Sequence, residues 1–304
     1  MRKMKIKNAK NFSLSKVLPL FIVLSVVCSV IRTIQVGFFI DAETGFFKSE
    51  SFVNILLYVV LALSFVFFCV SAFLSKDCAG LQLPGIKSKA LSAVTLLFAF
   101  SLLSDWVISF FSCVKTFSLI EDVSMGLFKT LMASGALPAF LQSIFAVFSA
   151  IYMFLLASSF KNGSKKASEH KLLALAPVCW ACFRMIRLFV TEISFVQISD
   201  LLLELVLIGF LVLFFVSLAQ NVSGIYVEGF QWRIFAFGLC AALISVSLAV
   251  SRLIFTVINF SEYINSQYTF DFCDAAFFVF ALVLAGVMIK NKNVDSQKEV
   301  IDKE

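Results

Sequence analysis

Eight polar side chains stand inside stretches that are otherwise apolar: Arg32, Gln35, Asp105, Arg184, Arg187, Arg252, Glu204 and Asp274. Guanidinium groups grip carboxylates and phosphates with forked donors, and carboxylates accept those forks or carry protons. The positions are regular. Arg32, Asp105 and Arg187 each lie sixteen residues after the last lysine before their apolar run, Lys16, Lys89 and Lys171. At a helical rise that distance is about 24 Å. Each charge would then sit in the outer third of a bilayer core, because "VGFFI", "VISFF" and "LFV" continue past it. Arg32 with Gln35, and Arg184 with Arg187, share a helix face by their three-residue spacing.

Two roles suit such groups. They line an outward-opening polar cavity for an anionic or amphipathic small molecule, or they pair within the bundle and fix its register. Four arginines against Asp105, Glu204 and Asp274 leave a positive excess, which favours an anion in the first role. Asp105, beside Trp106, is also a candidate buried proton carrier, since desolvation favours the neutral acid.

Other chemistry is thin. Cys179 and Cys182 form "CWAC", a spacing used in thiol redox, but they begin only eight residues past Lys171. A thiol at that depth keeps its proton and packs as a small apolar group. His170 is the single histidine and lies in a lysine-rich loop, so neither a multi-histidine metal site nor a Ser–His pair at the outer level is expected. No glycine-rich phosphate loop and no cofactor motif occur, and no catalytic residue is assigned. An intramembrane lipid-modifying enzyme would need acid–base work from Asp105, Glu204 or Asp274, with arginines on a phosphate. The balance of residues leans away from catalysis.

The elements that hold these groups follow from composition. Of 304 residues 61% are hydrophobic, 38 are phenylalanine and 14% are charged, with a mean hydropathy of +0.98. Soluble domains carry about 25% charged residues. Lipid is therefore the expected solvent. Runs such as "ELVLIGFLVLFFVSLA" lack the two-residue alternation of a membrane barrel, so the expected fold is an all-α polytopic bundle. Eight spans are expected at 17–39, 52–75, 90–113, 136–160, 172–195, 200–220, 233–258 and 272–290, arranged as four hairpins. Two parallel four-helix halves, 17–160 and 172–290, would explain the recurring polar level. The even spans open on that level with Asn54, Gln142, Glu204 and Asp274. The 3–4 connection "EDVSMGLFKTLMASGALP" is long enough for a short interfacial helix.

Lysine and arginine then fall on one side: residues 1–16, Lys76, Lys87, Lys89, Lys161, Lys165, Lys166, Lys171, Arg233 and the C-terminal segment 291–304 with Lys290. The opposite loops hold Lys48, Lys115 and Lys129 among several acids. The positive-inside rule puts both termini in the cytoplasm and the protein in a bacterial cytoplasmic membrane. The net charge of +6 reflects that orientation, and no nucleic-acid partner is expected. Residues 17–38 read as a retained first span, because no small-x-small cleavage site or lipobox follows the basic start. The tail "NKNVDSQKEVIDKE" reads as a solvated end. With no soluble domain between spans, any nucleotide-driven step would come from a partner ATPase or membrane subunit.

Arg32, Gln35 and the following "DAETGFF" resemble an uncharacterised group of bacterial multi-pass membrane proteins. The resemblance implies the eight-span layout and no particular activity. The functional expectation is solute binding or transport; the alternative is an accessory, sensor or assembly subunit whose buried charges are structural.

Overall fold

The computed structural model describes residues 16–40, 47–48, 52–74, 83, 85–118, 120, 126–191, 198–224, 232–258 and 270–301, with residues 191, 198 and 292–301 described by backbone alone. The protein is all-α. In chain order the helices are α1 (Val17–Ile34), α2 (Phe52–Leu74), α3 (Lys89–Ser118), α4 (Leu127–Ala133), α5 (Ala136–Asn162), α6 (Lys166–Glu169), α7 (Ala176–Thr191), α8 (Ile198–Val222), α9 (Trp232–Ile258) and α10 (Phe272–Ile301). Among the described residues eight helices are long and apolar enough to cross a membrane. They match the expected spans to within a few residues, so the hydropathy pattern and the backbone agree.

The helices begin and stop for local reasons. Pro19, Pro138 and Pro177 each fall in a first turn, where the missing N–H has no helical acceptor to lose. Gly163 ends α5 at φ 67° and Gly135 precedes it at φ 78°, left-handed conformations that glycine adopts without a Cβ penalty. The first span passes Arg32 and widens at its end into a π turn, Gln35–Phe39, before an isolated bridge pairs Ile40 with Phe47. Between α3 and α5 the expected short helix is α4, none of whose residues is buried. The C-terminal end differs from expectation: α10 runs on to Ile301, past the apolar stretch. Adding a residue to an existing helix costs far less than nucleating one, and Lys, Gln and Glu favour the helical state.

The lysine-rich ends of the spans meet at one end of the bundle. There the Ser88 amide donates to the Phe160 carbonyl at 2.9 Å, Ser92 Oγ donates to the Ala157 carbonyl at 2.8 Å, and the Leu83 amide donates to Asn221 Oδ1 at 3.0 Å. Each spends a polar group that would otherwise be stranded at a helix end.

α9 is the axis. It packs against α1, α2, α8 and α10, and 89% of its membrane-length window is buried. Span three, its counterpart under a two-half repeat, is 44% buried, so burial is not distributed as two equal halves. Where α3, α8 and α10 converge, Phe98 stacks on Phe280 at 5.7 Å and Phe214 meets Phe277 edge-on at 5.2 Å. Gly238 of α9 admits the Phe214 ring: a Cβ there would stand 3.1 Å from two ring carbons. The outward faces are apolar as well, with Val26 60% and Leu63 66% exposed, which suits a hydrocarbon solvent. Span serines such as Ser25, Ser29, Ser64 and Ser247 donate to the carbonyl four residues back and need no further partner.

Candidate functional site

At the end opposite the lysines, the antiparallel run of the spans brings helix C-termini beside helix N-termini. Arg32 lies in the last turn of α1, while Asp200 and Asp274 lie in the first turns of α8 and α10. The helix dipole favours cations at C-terminal ends and anions at N-terminal ends. The alternation of chain direction thus presents basic and acidic groups to one another at a single level.

The side chains there form one connected chain of ion pairs. Arg32 Nη2 donates to Asp200 Oδ1 at 2.6 Å, and its Nη1 donates to Gln35 Oε1 at 3.2 Å. Gln35 Nε2 passes the connection to the Val53 carbonyl at 2.9 Å, tying the end of α1 to the start of α2. The second oxygen of Asp200 takes Arg252 Nη2, also at 2.6 Å. Arg252 reaches Glu204 Oε2 at 3.2 Å, and Arg184 Nη2 meets Glu204 Oε1 at 2.9 Å. Arg184 is the hub: its Nη1 bonds Asp274 Oδ1 at 3.0 Å and its Nη2 pairs with Asp271 Oδ2 at 3.0 Å. Asp271 also caps α10 by accepting the Cys273 amide at 2.7 Å, and Ser245 Oγ donates to the Asp274 carbonyl. The ion pairs cross-link five long helices, α1, α7, α8, α9 and α10, and the Gln35 bond adds α2 as a sixth.

Burial is deepest at Arg32, whose side chain is 0% exposed, and relaxes to 17% at Glu204 and 27% at Asp271. The Arg184 edge of the layer therefore lies nearest the open end of the bundle. Arg32, Arg184 and Arg252 each have a carboxylate within hydrogen-bonding distance, the condition under which buried charge is tolerated. The Nε–H groups of Arg32 and Arg252 are buried without an acceptor.

Asp105 stands beside this layer and is held differently. Gln142 Nε2 donates to its two oxygens at 3.2 and 3.0 Å, and the Trp180 indole donates at 2.7 Å. The Trp180 ring in turn lies under the Arg184 guanidinium, 5.8 Å from its centroid, a cation–π contact.

The structure thus gathers Arg32, Gln35, Arg184, Arg252, Glu204 and Asp274 into one layer and sets Asp105 next to it. Arg187 lies one turn beyond Arg184 and is half-buried, while Arg184 takes the centre. Asp200, Asp271 and Trp180 are the members that sequence reasoning missed. Asp200, the first residue of the expected sixth span, precedes Glu204 by four residues, a same-face spacing that could have revealed it. Asp200 and Asp271 also reverse the expected charge balance: within the connected layer, carboxylates outnumber arginines by one. The positive excess that favoured an anionic ligand is absent there. Six of the side chains expected to line an outward-opening polar cavity, Arg32, Gln35, Arg184, Arg252, Glu204 and Asp274, bond one another in the layer.

An opening of about 520 Å³ lies elsewhere, along the lipid-facing side of α1, α9 and α10. Val26, Ser29 and Val30 of α1, Val250 and Ile254 of α9 and Phe278 of α10 line it. Cys179 and Cys182 flank Trp180 as half-buried free thiols, and no cluster of metal ligands occurs among the described residues. Comparison with protein-family models, with curated proteins and with solved structures found no match for this chain.

Proposed function

We propose that the protein binds an amphipathic molecule taken from the bilayer, with an apolar tail in the α1/α9/α10 groove, as the first step of carrying it. The groove is the observation that carries this reading. Its volume falls in the ~300–1,000 Å³ range of small-molecule sites, and its walls are almost wholly aliphatic and aromatic. It follows α1 from Ile22 to Ile34, a rise of about 18 Å, which suits an acyl chain better than a compact solute. At its far end Thr33 follows Arg32 directly and Ile254 lies two residues past Arg252, so a headgroup would lie level with the ionic layer. The carboxylate surplus of the layer disfavours a headgroup of net negative charge, so a neutral or zwitterionic one fits it.

The orientation belongs to the same proposal: the lysine-rich end faces the bacterial cytoplasm, and the arginine–carboxylate layer lies toward the outside. The bundle described here would be the membrane subunit if an ATPase or second membrane protein drives it.

Photocrosslinking in nanodiscs with a diazirine-bearing phospholipid tests the reading. Adducts should concentrate on α1, α9 and α10, and Val30→Trp should displace them while leaving the folded yield unchanged. Adducts spread evenly over other lipid faces, such as that of Leu63 and Val66 on α2, would sink it.

A specific observation favours the second reading, an assembly or sensor subunit with purely structural charges: the three arginines are already neutralised within the bundle. In that case the groove variant changes nothing and the layer variants change stability alone.

A further inference from the structure

The geometry points to Asp105 as a proton-exchange site: a buried carboxyl that alternates between ionised and neutral forms, with Gln142 accepting its proton's hydrogen bond. This stands on different residues from the groove and would survive the groove reading's failure.

Among the described residues, the buried acids Asp200 and Asp274 each touch an arginine, whereas no cation lies within 4.0 Å of Asp105. Its three hydrogen bonds come from neutral donors, the Gln142 amide and the Trp180 indole. Asp105 itself is 8% exposed. A buried carboxylate so placed is met by neutral hydrogen-bond donors alone, with no counter-ion in contact.

Gln142 supplies the second observation. Its side chain is fully buried, and while Nε2 reaches both oxygens of Asp105, Oε1 has no partner at all. The amide thus contacts the carboxylate through Nε2 while its own buried acceptor lacks a donor. One proton on Asp105 supplies that donor. The acid O–H then donates to Gln142 Oε1, and Nε2–H continues to donate to the other oxygen, a paired acid–amide ring. A small turn of the amide suffices, and the Trp180 indole keeps its bond. Only a proton from water is taken up, so the step balances as carboxylate plus proton giving carboxylic acid.

Ser109 extends the site. It lies four residues further along α3, on the same face, and its buried Oγ has no partner either. A hydroxyl both donates and accepts, so it can relay a proton from the far end of the bundle.

Among the described residues, the neighbouring elements present the following charged, titratable and polar groups. α5 presents Gln142, which is neutral. α7 presents Arg184, which acts through the Trp180 ring. α10 presents Cys273, whose Sγ donates to the Ser101 carbonyl at 3.1 Å, with Asp271 and Asp274 engaged by Arg184. α8 presents Glu204, also held by Arg184. Proton uptake weakens the Trp180–Asp105 bond, because a charge-assisted acceptor becomes a neutral one. The indole is the platform beneath Arg184, so the proton's arrival is felt at the hub that holds three carboxylates.

Infrared difference spectroscopy of the full-length protein in liposomes, between neutral and acidic buffer, tests the inference. A protonated-carboxyl C=O band should appear on acidification and shift upward in frequency in Gln142→Leu, which removes the acceptor. Asp105→Asn should abolish it, and Trp180→Phe should move its midpoint. If Asp105→Asn does not fold, the Gln142→Leu shift alone decides. Absence of any pH-dependent carboxyl band, its survival in Asp105→Asn, or its indifference to Gln142→Leu would overturn the proposal.

Discussion

At the scale of single residues, Asp200 holds the most consequential position. One carboxylate serves two arginines at 2.6 Å each, and neither Arg32 nor Asp200 has appreciable contact with solvent. Its neutral isostere leaves Arg32 with Gln35 and Arg252 with Glu204. Removing one partner of a buried pair costs about 3–5 kcal/mol, because the remaining charge stays buried. Asp200→Asn should therefore lower the unfolding midpoint in detergent markedly. Glu204→Gln should cost less, since Arg252 keeps Asp200 and Arg184 keeps Asp271 and Asp274. The double variant Arg32→Met with Asp200→Met should recover much of the loss, as apolar replacement of a buried pair often does. Equal losses from Asp200→Asn and Glu204→Gln would mean that the layer is not organised around Asp200. The depth of Arg32 was legible from its distance to Lys16. Its partner was not, because 168 residues separate Arg32 from Asp200 and no local spacing links them.

At the scale of elements, α9 carries the packing and α1 carries the lipid face. Gly238 shows how closely α9 is enclosed, with the Phe214 ring occupying the space a side chain would need. Gly238→Leu should destabilise the bundle by about 1–3 kcal/mol through overpacking, read as a lower midpoint of thermal unfolding. Leucine at Gly209 or Gly286, where a Cβ meets nothing within 4 Å, should cost less. If all three cost the same, helix propensity rather than contact with Phe214 is responsible. The eight apolar runs made the helices predictable, because hydrogen bonds must close within each segment in hydrocarbon. Which helix becomes the axis was not predictable. α2 and α8 are more hydropathic than α9, yet only about a third and under half of their windows are buried. Hydropathy reports preference for lipid or core alike and does not separate the two.

At the scale of the whole molecule, orientation and function meet. The lysine-rich ends of α3, α5 and α8 are joined by Ser88, Phe160, Leu83 and Asn221, whereas Ile40, Phe47 and the arginine layer mark the other end. Single-cysteine variants in a background without native cysteines should separate the ends: Lys165→Cys labelled only after permeabilisation, Lys48→Cys labelled in intact cells. The reverse pattern would invert the proposed topology and place the Asp105 site on the cytoplasmic side.

Amino-acid order alone determined the solvent, the eight spans and the existence of a polar level near one membrane face. These depend on residue type and on the fixed rise of a helix, both local quantities. Tertiary structure decided the rest. It brought Asp200 and Asp271 into the layer, turned a supposed positive excess into a carboxylate surplus, and closed the arginines on bundle acids. It also left Asp105 among neutral donors beside an unpartnered amide oxygen. Pairing between distant helices depends on how their faces rotate and pack, and that is settled by the shapes of all eight together.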